Sequence, residues 1–242
     1  MKTPIKIVVA AALILSMSAC SSEVICKKGS GGIHSEELFL DNIDGIDMQI
    51  AADVVIKQGN SQKIVVTGHQ NVLNEIDMDV YGGIWKIKFD NGCFRHYDLD
   101  VEITVPDLKK VIISGSGDID ILDFDNQNEL DLRISGSGNI HLHEFEGIHK
   151  LRSSISGSGN ITAFDSISVK ETDIFISGSG NYKAYPISTE DCKIKISGSG
   201  SCFVNVSHSL DVSISGSGDV HYKGYPSIHQ HISGSGHIYN DN

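Results

Sequence analysis

Seven copies of the string Ile-Ser-Gly-Ser-Gly run through the second half of this chain. They begin at Ile113, Ile134, Ile155, Ile176, Ile196, Ile214 and Ile232. The intervals between them are 21, 21, 21, 20, 18 and 18 residues. Self-similarity at such a period is typical of repeat architectures, in which each unit buries its apolar side chains against the neighbouring units. This feature restricts the fold far more than it restricts the function.

Apolar residues recur at fixed positions around each copy, four and two residues before its isoleucine and six and eight residues after it. In the second copy these are Leu130, Leu132, Ile140 and Leu142, and polar residues alternate with them. Period-2 alternation predicts strands. Each repeat therefore has one strand that leads into the Ile-Ser-Gly-Ser-Gly string and one strand that follows it. We predict an all-β fold, a parallel, right-handed β-helix of about seven coils.

Two other repeat folds fit the pattern less well. A propeller blade needs four strands and about 40 residues. A left-handed hexapeptide helix would show a six-residue period, which is not visible here.

The Ser-Gly-Ser-Gly string itself predicts a sharp corner. Glycine reaches positive φ at little steric cost, and serine hydroxyls bond nearby backbone groups. The residue that follows is Asp or Asn in five of the seven copies, which indicates either a side-chain ladder or a corner that tolerates the left-handed conformation. These residues are Asp118, Asn139, Asn160, Asn181, Ser201, Asp219 and His237.

Three further segments precede the β-helix, which we place at residues 111–242. Residues 38–110 contain alternating strand patterns that we expect to cap one end of the coils, with one short helical turn between Leu73 and Met78. Residues 20–37 are polar and Gly-rich, so they predict a flexible tether. Residues 1–19 have a basic start, a short apolar stretch and small residues, which is the layout of a signal peptide.

Cys20 directly follows Met17-Ser18-Ala19, an arrangement that resembles the bacterial lipobox. The resemblance implies cleavage before Cys20 and attachment of lipid to its thiol. Several acyl chains anchor stably, at about 0.8 kcal/mol for each buried methylene. We therefore expect a cell-envelope protein, an outer-membrane lipoprotein that faces the periplasm or the cell exterior. Ser21 after the cysteine favours outer-membrane sorting.

The chain is acidic, with a formal net charge of −12. Loss of Lys2 and Lys6 with the signal peptide would leave 17 basic and 31 acidic residues. Such a surface repels the phosphates of nucleic acid and of anionic lipid, so we expect no nucleic-acid partner.

Residues 38–242 resemble the bacterial family described as "putative auto-transporter adhesin, head GIN domain", which is common among Bacteroidota lipoproteins. The stretches that carry the resemblance are Asp53–Gly59, Lys63–Val66, Trp85–Ile87 and Val101–Leu108, followed by Val111–Asp118. The resemblance implies a β-helical envelope protein that is secreted or lipid-anchored. It implies no established activity and no catalytic residues, because a fold alone does not define a function.

Candidate metal ligands are weakly supported. Asp118, Asp120, Asp123 and Asp125 form an acidic cluster on the first coil, which a solvated edge explains better than a bound cation. His141 and His143 point outward from one strand, His221 shares the column of His141, and His229 and His231 form a similar pair. No acid or cysteine partner at ligand spacing accompanies them, so we predict no metal site and no cofactor.

The cysteines and one aromatic group leave alternatives open. Cys26 and Cys93 are candidates for a disulfide, which an envelope location permits. Cys192 and Cys202 occupy inward columns, which favours free core thiols over a bond across the corner. The aromatic residues of the N-terminal region either fill a core or pave a glycan-binding surface; they are Tyr81, Trp85, Phe89, Phe94 and Tyr97.

No catalytic constellation stands out, so we predict a non-enzymatic binding or adhesion module with a glycan or protein partner on a cell surface. Two alternatives remain: a polysaccharide-active lyase or hydrolase, and a structural envelope protein without a specific ligand. An enzyme of the first kind needs converging carboxylates on one face.

Overall fold

The computed structural model describes residues 26–125 and 127–242. The predicted signal peptide and Cys20 lie outside these residues. The described chain forms 23 strands and one short helix, α1 (Gln70–Leu73). The strands before the repeats are β1 (Lys27–Lys28), β2 (Ile33–Leu38), β3 (Gly45–Met48), β4 (Asp53–Gln58), β5 (Lys63–His69), β6 (Val80–Tyr81), β7 (Ile84–Ile87), β8 (Phe94–Arg95) and β9 (Leu99–Val105).

The strands of the repeats are β10 (Lys110–Ile113), β11 (Ile119–Leu122), β12 (Phe124–Asp125), β13 (Glu129–Ile134), β14 (Ile140–Leu142), β15 (Phe145–Glu146), β16 (Ile148–Ile155), β17 (Ile161–Ala163), β18 (Ile167–Ile176), β19 (Tyr182–Ile196), β20 (Cys202–Ile214), β21 (Val220–Lys223), β22 (Ser227–Ile232) and β23 (Ile238–Asn240).

The coils stack in parallel, with equivalent corners directly over one another. Strands that enter the corners pair from β3 through β10, β13, β16, β18, β19 and β20 to β22; we call this the entry sheet. Strands that leave the corners pair from β4 through β11, β14, β17, β19 and β20 to β21 and β23, the exit sheet. The prediction of an all-β, parallel solenoid is confirmed, with about six turns.

The stacking begins before the first repeat. Gly45–Met48 pairs in parallel with Lys110–Ile113, and Asp53–Gln58 pairs with the strand after the first corner. Strands β7 and β9 extend the two sheets by one layer, β5 lies antiparallel on β9, and β2 lies antiparallel on β5. The predicted N-terminal cap is thus an antiparallel layer across one end of the coils.

The segment predicted as a tether over 20–37 is partly structured, which corrects the expectation. Strand β1 and all of β2 except Leu38 fall within it, and β1 pairs with β8. A disulfide joins Cys26 to Cys93, with an S–S distance of 2.07 Å and Cα atoms 4.7 Å apart. The bond holds β1 in place despite its polar, glycine-rich surroundings. The short helix also lies earlier than predicted, at Gln70–Leu73.

The inward columns predicted from the repeats form the core. Leu130, Leu132, Ile140 and Leu142 are fully buried, as are their counterparts in most other coils. Tyr182 replaces an isoleucine in one column and is 1% exposed. Smaller residues occupy neighbouring inward positions, with Ala163 and Ala184 on the exit side and Ser153 on the entry side.

The corner glycines serve a different purpose from the predicted one. None of them has a positive φ; that conformation occurs in the described chain at other glycines, such as Gly82 and Gly92. A Cβ on Gly159 would instead lie far closer than 3.0 Å to the carbonyl oxygen of Gly138 in the preceding coil, and every other corner glycine meets a similar obstacle. Close approach of backbones, rather than an unusual dihedral, therefore requires glycine here.

The residues after the corners form a side-chain ladder. Asn160 donates from its backbone N and its Nδ2 to Oδ1 of Asn139, at 2.9 and 3.0 Å, and Asn139 donates to Asp118 in the same way. Asn181 continues the ladder onto Asn160. Asp118 is the first residue of the ladder, so its carboxylate only accepts hydrogen bonds from Asn139. The ladder alternative is therefore confirmed, and the left-handed corner is wrong because these residues have negative φ.

Candidate functional site

The outward faces of the two sheets differ in chemistry. On the entry sheet, one outward column alternates in charge from coil to coil. Its members are Lys110, Asp131, Arg152, Asp173, Lys193 and Asp211, ending at His229. Opposite charges that face each other across neighbouring strands stabilise a sheet, and like charges in that position destabilise it. The alternation therefore favours the observed register of neighbouring coils.

Contacts along this column are ion pairs at a partly exposed surface. Lys110 lies 3.8 Å from Asp131, and Nε of Arg152 lies 3.7 Å from Asp173. Lys150 adds a second cation 3.1 Å from Asp173. Each exposed pair contributes about 0.2–1 kcal/mol. The charges on the first coils of the entry face thus largely satisfy one another.

The exit sheet instead presents rings over the last six coils. We define the aromatic band as His141, His143, Phe164, Tyr185, Phe203, His221 and Tyr239. Its members occupy two adjacent outward columns, and the register places His141 next to Asp120, and Phe203 next to His221 and then Tyr239. Phe164 is 54% exposed and Tyr239 is 43% exposed. Protein interfaces are enriched in such aromatic side chains.

The first half of the aromatic band is an imidazole–phenyl cluster beside two carboxylates, since Asp165 lies 3.6 Å from Nδ1 of His143. Asp120 lies 3.3 Å from Nδ1 of His141 and 3.0 Å from Nε2 of His143. The ring of Phe164 stacks on His143, with centroids 4.9 Å apart, and meets His141 edge-on at 5.4 Å. The predicted lack of an acid partner for these histidines is therefore wrong. Asp120 stands one coil earlier, in the same column of the repeat as His141, so only the alignment of successive repeats brings the two residues together.

The second half of the aromatic band is a ring ladder closed by the end of the chain. His221 stacks between Phe203 and Tyr239, with centroids 4.7 and 4.8 Å away. Tyr185 meets Phe203 edge-on, and its hydroxyl donates to Asp241 at 2.5 Å. Burial, with the carboxylate beside it, raises the pKa of Tyr185, so the hydroxyl remains protonated and donates.

The other predicted metal ligands do not converge. Asp118 caps the asparagine ladder, Asp120 binds the two histidines, and the backbone N of Asp125 donates to Gln58. Asp123 adopts a φ of 54°, a conformation in which Asp is enriched. His229 and His231 are exposed on the last coil. Across residues 26–125 and 127–242, no group of three His, Cys, Asp or Glu side chains is placed to hold a metal ion.

The N-terminal aromatic residues mostly fill a core. Trp85 is fully buried, and its Nε1 donates to the carbonyl of Asp77 at 2.8 Å. Phe89, Phe94 and Tyr97 pack on one another, with centroids 4.7 to 6.3 Å apart. Tyr81 alone among the five is largely exposed, at 60%. A continuous aromatic platform does not form there.

Cys192 and Cys202 are free and buried, as favoured from their inward columns. Burial raises the pKa of both thiols, so they stay protonated. A buried thiol of this kind is unreactive and packs as a small apolar group.

Apart from the column shared by His141 and His221, the outward columns did not enter the sequence prediction, which therefore contains neither the alternating charges nor the aromatic band. The same alignment holds the signal. The residues of the aromatic band lie seven or nine positions after the isoleucine of each copy. The residues of the alternating charged column lie three positions before it.

The described part of the chain contains no helix long and apolar enough to cross a membrane.

Solved structures of other proteins share the architecture of this chain. A putative adhesin from Bacteroides fragilis matches with a TM-score of 0.81 at 21% identity, over 88% of this chain and 99% of that one. A putative adhesin from Parabacteroides distasonis matches with a TM-score of 0.69 at 24% identity, over 88% and 99%.

A Parabacteroides distasonis protein described as a putative lipid binding protein matches with a TM-score of 0.70 at 24% identity, over 89% of this chain and 99% of that one. These likenesses show the fold. None of the curated proteins compared with the chain matches it. The sequence profile of the family described as "Putative auto-transporter adhesin, head GIN domain" matches residues 42–226. The stacked coils and this match over most of its length show that the chain belongs to that family.

Proposed function

We propose that the protein is a non-enzymatic adhesion module of the cell envelope, anchored by lipid on Cys20, that binds a protein or glycan of a cell surface. The observation that carries the proposal is the aromatic band, a row of rings on the exit face of a rigid solenoid. Large aromatic side chains dominate the energetics of protein interfaces when a partner covers them. The charged entry face lacks a comparable row.

Rigidity supports the same function. The rings of the band stand on strands whose backbone bonds run from coil to coil, so little ordering entropy is lost when a partner docks. The family name and the adhesin descriptions of the structural neighbours agree with this function. The lipid would hold the protein at the surface of the outer membrane, where it would face either the periplasm or the cell exterior.

Retention of bacterial cells on beads coated with residues 26–242 tests the proposal. Replacing the two most exposed rings of the band, Phe164→Ala with Tyr239→Ala, should reduce retention at least fivefold. The matched control is Phe39→Ala with Tyr81→Ala, which removes a phenylalanine and a tyrosine that are 82% and 60% exposed elsewhere.

Equal retention by the band variant and the parent would contradict the proposal, as would absence of retention by the parent. Periodate treatment of the cells removes a glycan partner and protease treatment removes a protein partner. Lipid attachment is tested separately, by incorporation of an alkyne fatty acid into the full chain and its loss in Cys20→Ala.

A further inference from the structure

A shallow groove on the entry side lies apart from the aromatic band and from the charged column. It has a volume of about 320 Å³, near the lower end of the range for small-molecule sites. Its floor is formed at Ile176 and Ile196, whose side chains point into the core. Phe175 and Lys195 rise beside this floor on neighbouring coils, where they are register partners.

Phe175 offers a free aromatic face. It is 41% exposed and makes no ring contact within the described part of the chain. Other coils carry isoleucine, arginine, serine, lysine or histidine at this outward position. An exposed ring without a partner is therefore a departure from the repeat, and its flat face can cover the C–H face of a sugar ring.

Serine hydroxyls surround the ring. Five of them line the groove: Ser154, Ser177, Ser197, Ser213 and Ser215. A hydroxyl both donates and accepts hydrogen bonds, so such a lining matches a ligand that itself carries several hydroxyls. A membrane surface or an apolar peptide would leave these groups without partners, at a cost of about 1–3 kcal/mol for each buried group.

Charge in the groove selects among sugars. Lys195 is the charged residue of the lining, and no carboxylate lies within 4.0 Å of its Nζ in the described residues. In the register of the entry sheet Asp173 and Asp211 flank Lys193, two residues before Lys195, and Asp173 is already paired with Lys150. An ammonium without a partner favours a carboxylate on the ligand.

From this combination we infer that the groove at Phe175 and Lys195 is a subsite for an acidic sugar of the uronic or sialic acid class. The inference goes beyond the proposed adhesion function and does not depend on the aromatic band. The sugar ring packs on Phe175, the sugar hydroxyls form hydrogen bonds with the serines, and the sugar carboxylate pairs with Lys195. One such subsite binds weakly, and multivalent display on a surface would raise the avidity.

Chemical-shift mapping on residues 26–242 tests the inference, with glucuronate, galacturonate and sialic acid each titrated to 50 mM and glucose and galactose as neutral counterparts. At least one acidic sugar should shift the resonances of Phe175 and Lys195 and bind at least fivefold more tightly than the neutral sugars. Phe175→Ala should abolish the shift of Lys195. Lys195→Gln should remove the preference for acidic sugars while weak neutral binding remains.

Phe39→Ala and Lys170→Gln, both at exposed positions outside the groove, are the matched controls and should bind like the parent. The inference is overturned if none of the three acidic sugars shifts the groove, or if acidic and neutral sugars bind equally. It is also overturned if Phe175→Ala leaves the Lys195 shift in place. Each of these results leaves the bead assay of the aromatic band unaffected, so the two proposals can fail separately.

Discussion

Adding one methyl group at a corner, in the variant Gly159→Ala, should strongly destabilise the solenoid. The new Cβ would lie 3.0 Å from Cγ2 of Ile134 and far inside that distance from the carbonyl oxygen of Gly138. Both obstacles belong to the preceding coil and are held by the parallel stacking. No side-chain rotation removes the clash, so the two backbones must separate locally.

The cost follows from what that separation breaks. Two bonds flank the site: the backbone N of Ser158 donates to Gly136 at 3.1 Å, and the backbone N of Asn160 donates to Asn139 at 2.9 Å. Each contributes about 1 kcal/mol to stability. Overpacking adds about 1–3 kcal/mol. The free energy of unfolding should therefore fall by about 3–5 kcal/mol, a large part of the 5–15 kcal/mol typical of a folded domain.

Equilibrium denaturation followed by circular dichroism measures this loss, and Gly92→Ala is the matched control. Gly92 has a φ of 77° and open space around its Cα, so alanine there carries only the dihedral cost of about 1–2 kcal/mol. Ser158→Ala, at an exposed position, should change stability by less than about 0.5 kcal/mol. A loss at Gly159 no larger than that at Gly92 would refute the close-approach explanation.

Three further outcomes are expected. Within the described residues the buried Tyr182 hydroxyl lies beside Ser153 but makes no hydrogen bond of normal geometry, so Tyr182→Phe should leave the free energy of unfolding unchanged or raise it, and a fall of more than about 1 kcal/mol would show that Ser153 is a partner. Replacing Cys26 and Cys93 by serine together should lower the free energy of unfolding by about 2–4 kcal/mol, since the bond closes a loop of 67 residues; unchanged thermal unfolding would contradict this. The hydrogen bond to Asp191 raises the pKa of His208 above 6.5, so this pair stabilises the fold below pH 6.5 and the contribution is lost as the pH rises through the higher folded value. An NMR titration should show that shift and its disappearance in Asp191→Asn.

Much of the architecture was predictable because its information is local and repeated. Leu130, Leu132 and Ile140 alternate with polar neighbours, and the same pattern recurs at an almost constant interval, so stacking is the arrangement that buries every copy at once. The inward cysteines followed from the same columns. Cys26 and Cys93 were only candidates, since they lie 67 positions apart in the sequence and their approach depends on how the chain between them folds.

What only the tertiary structure decided lies between the coils. Within one repeat, the corner glycine suggests that the backbone needs a positive φ. The actual reason is steric: a Cβ at Gly159 would clash with the carbonyl oxygen of Gly138, which belongs to the preceding coil. Asp120 meets His141 and His143 for the same reason. A repeat determines by itself which side chains point inward, because that depends on the alternation along one strand. Which outward groups touch depends on the register between strands about 20 residues apart, and stacking establishes that register only when the whole chain folds.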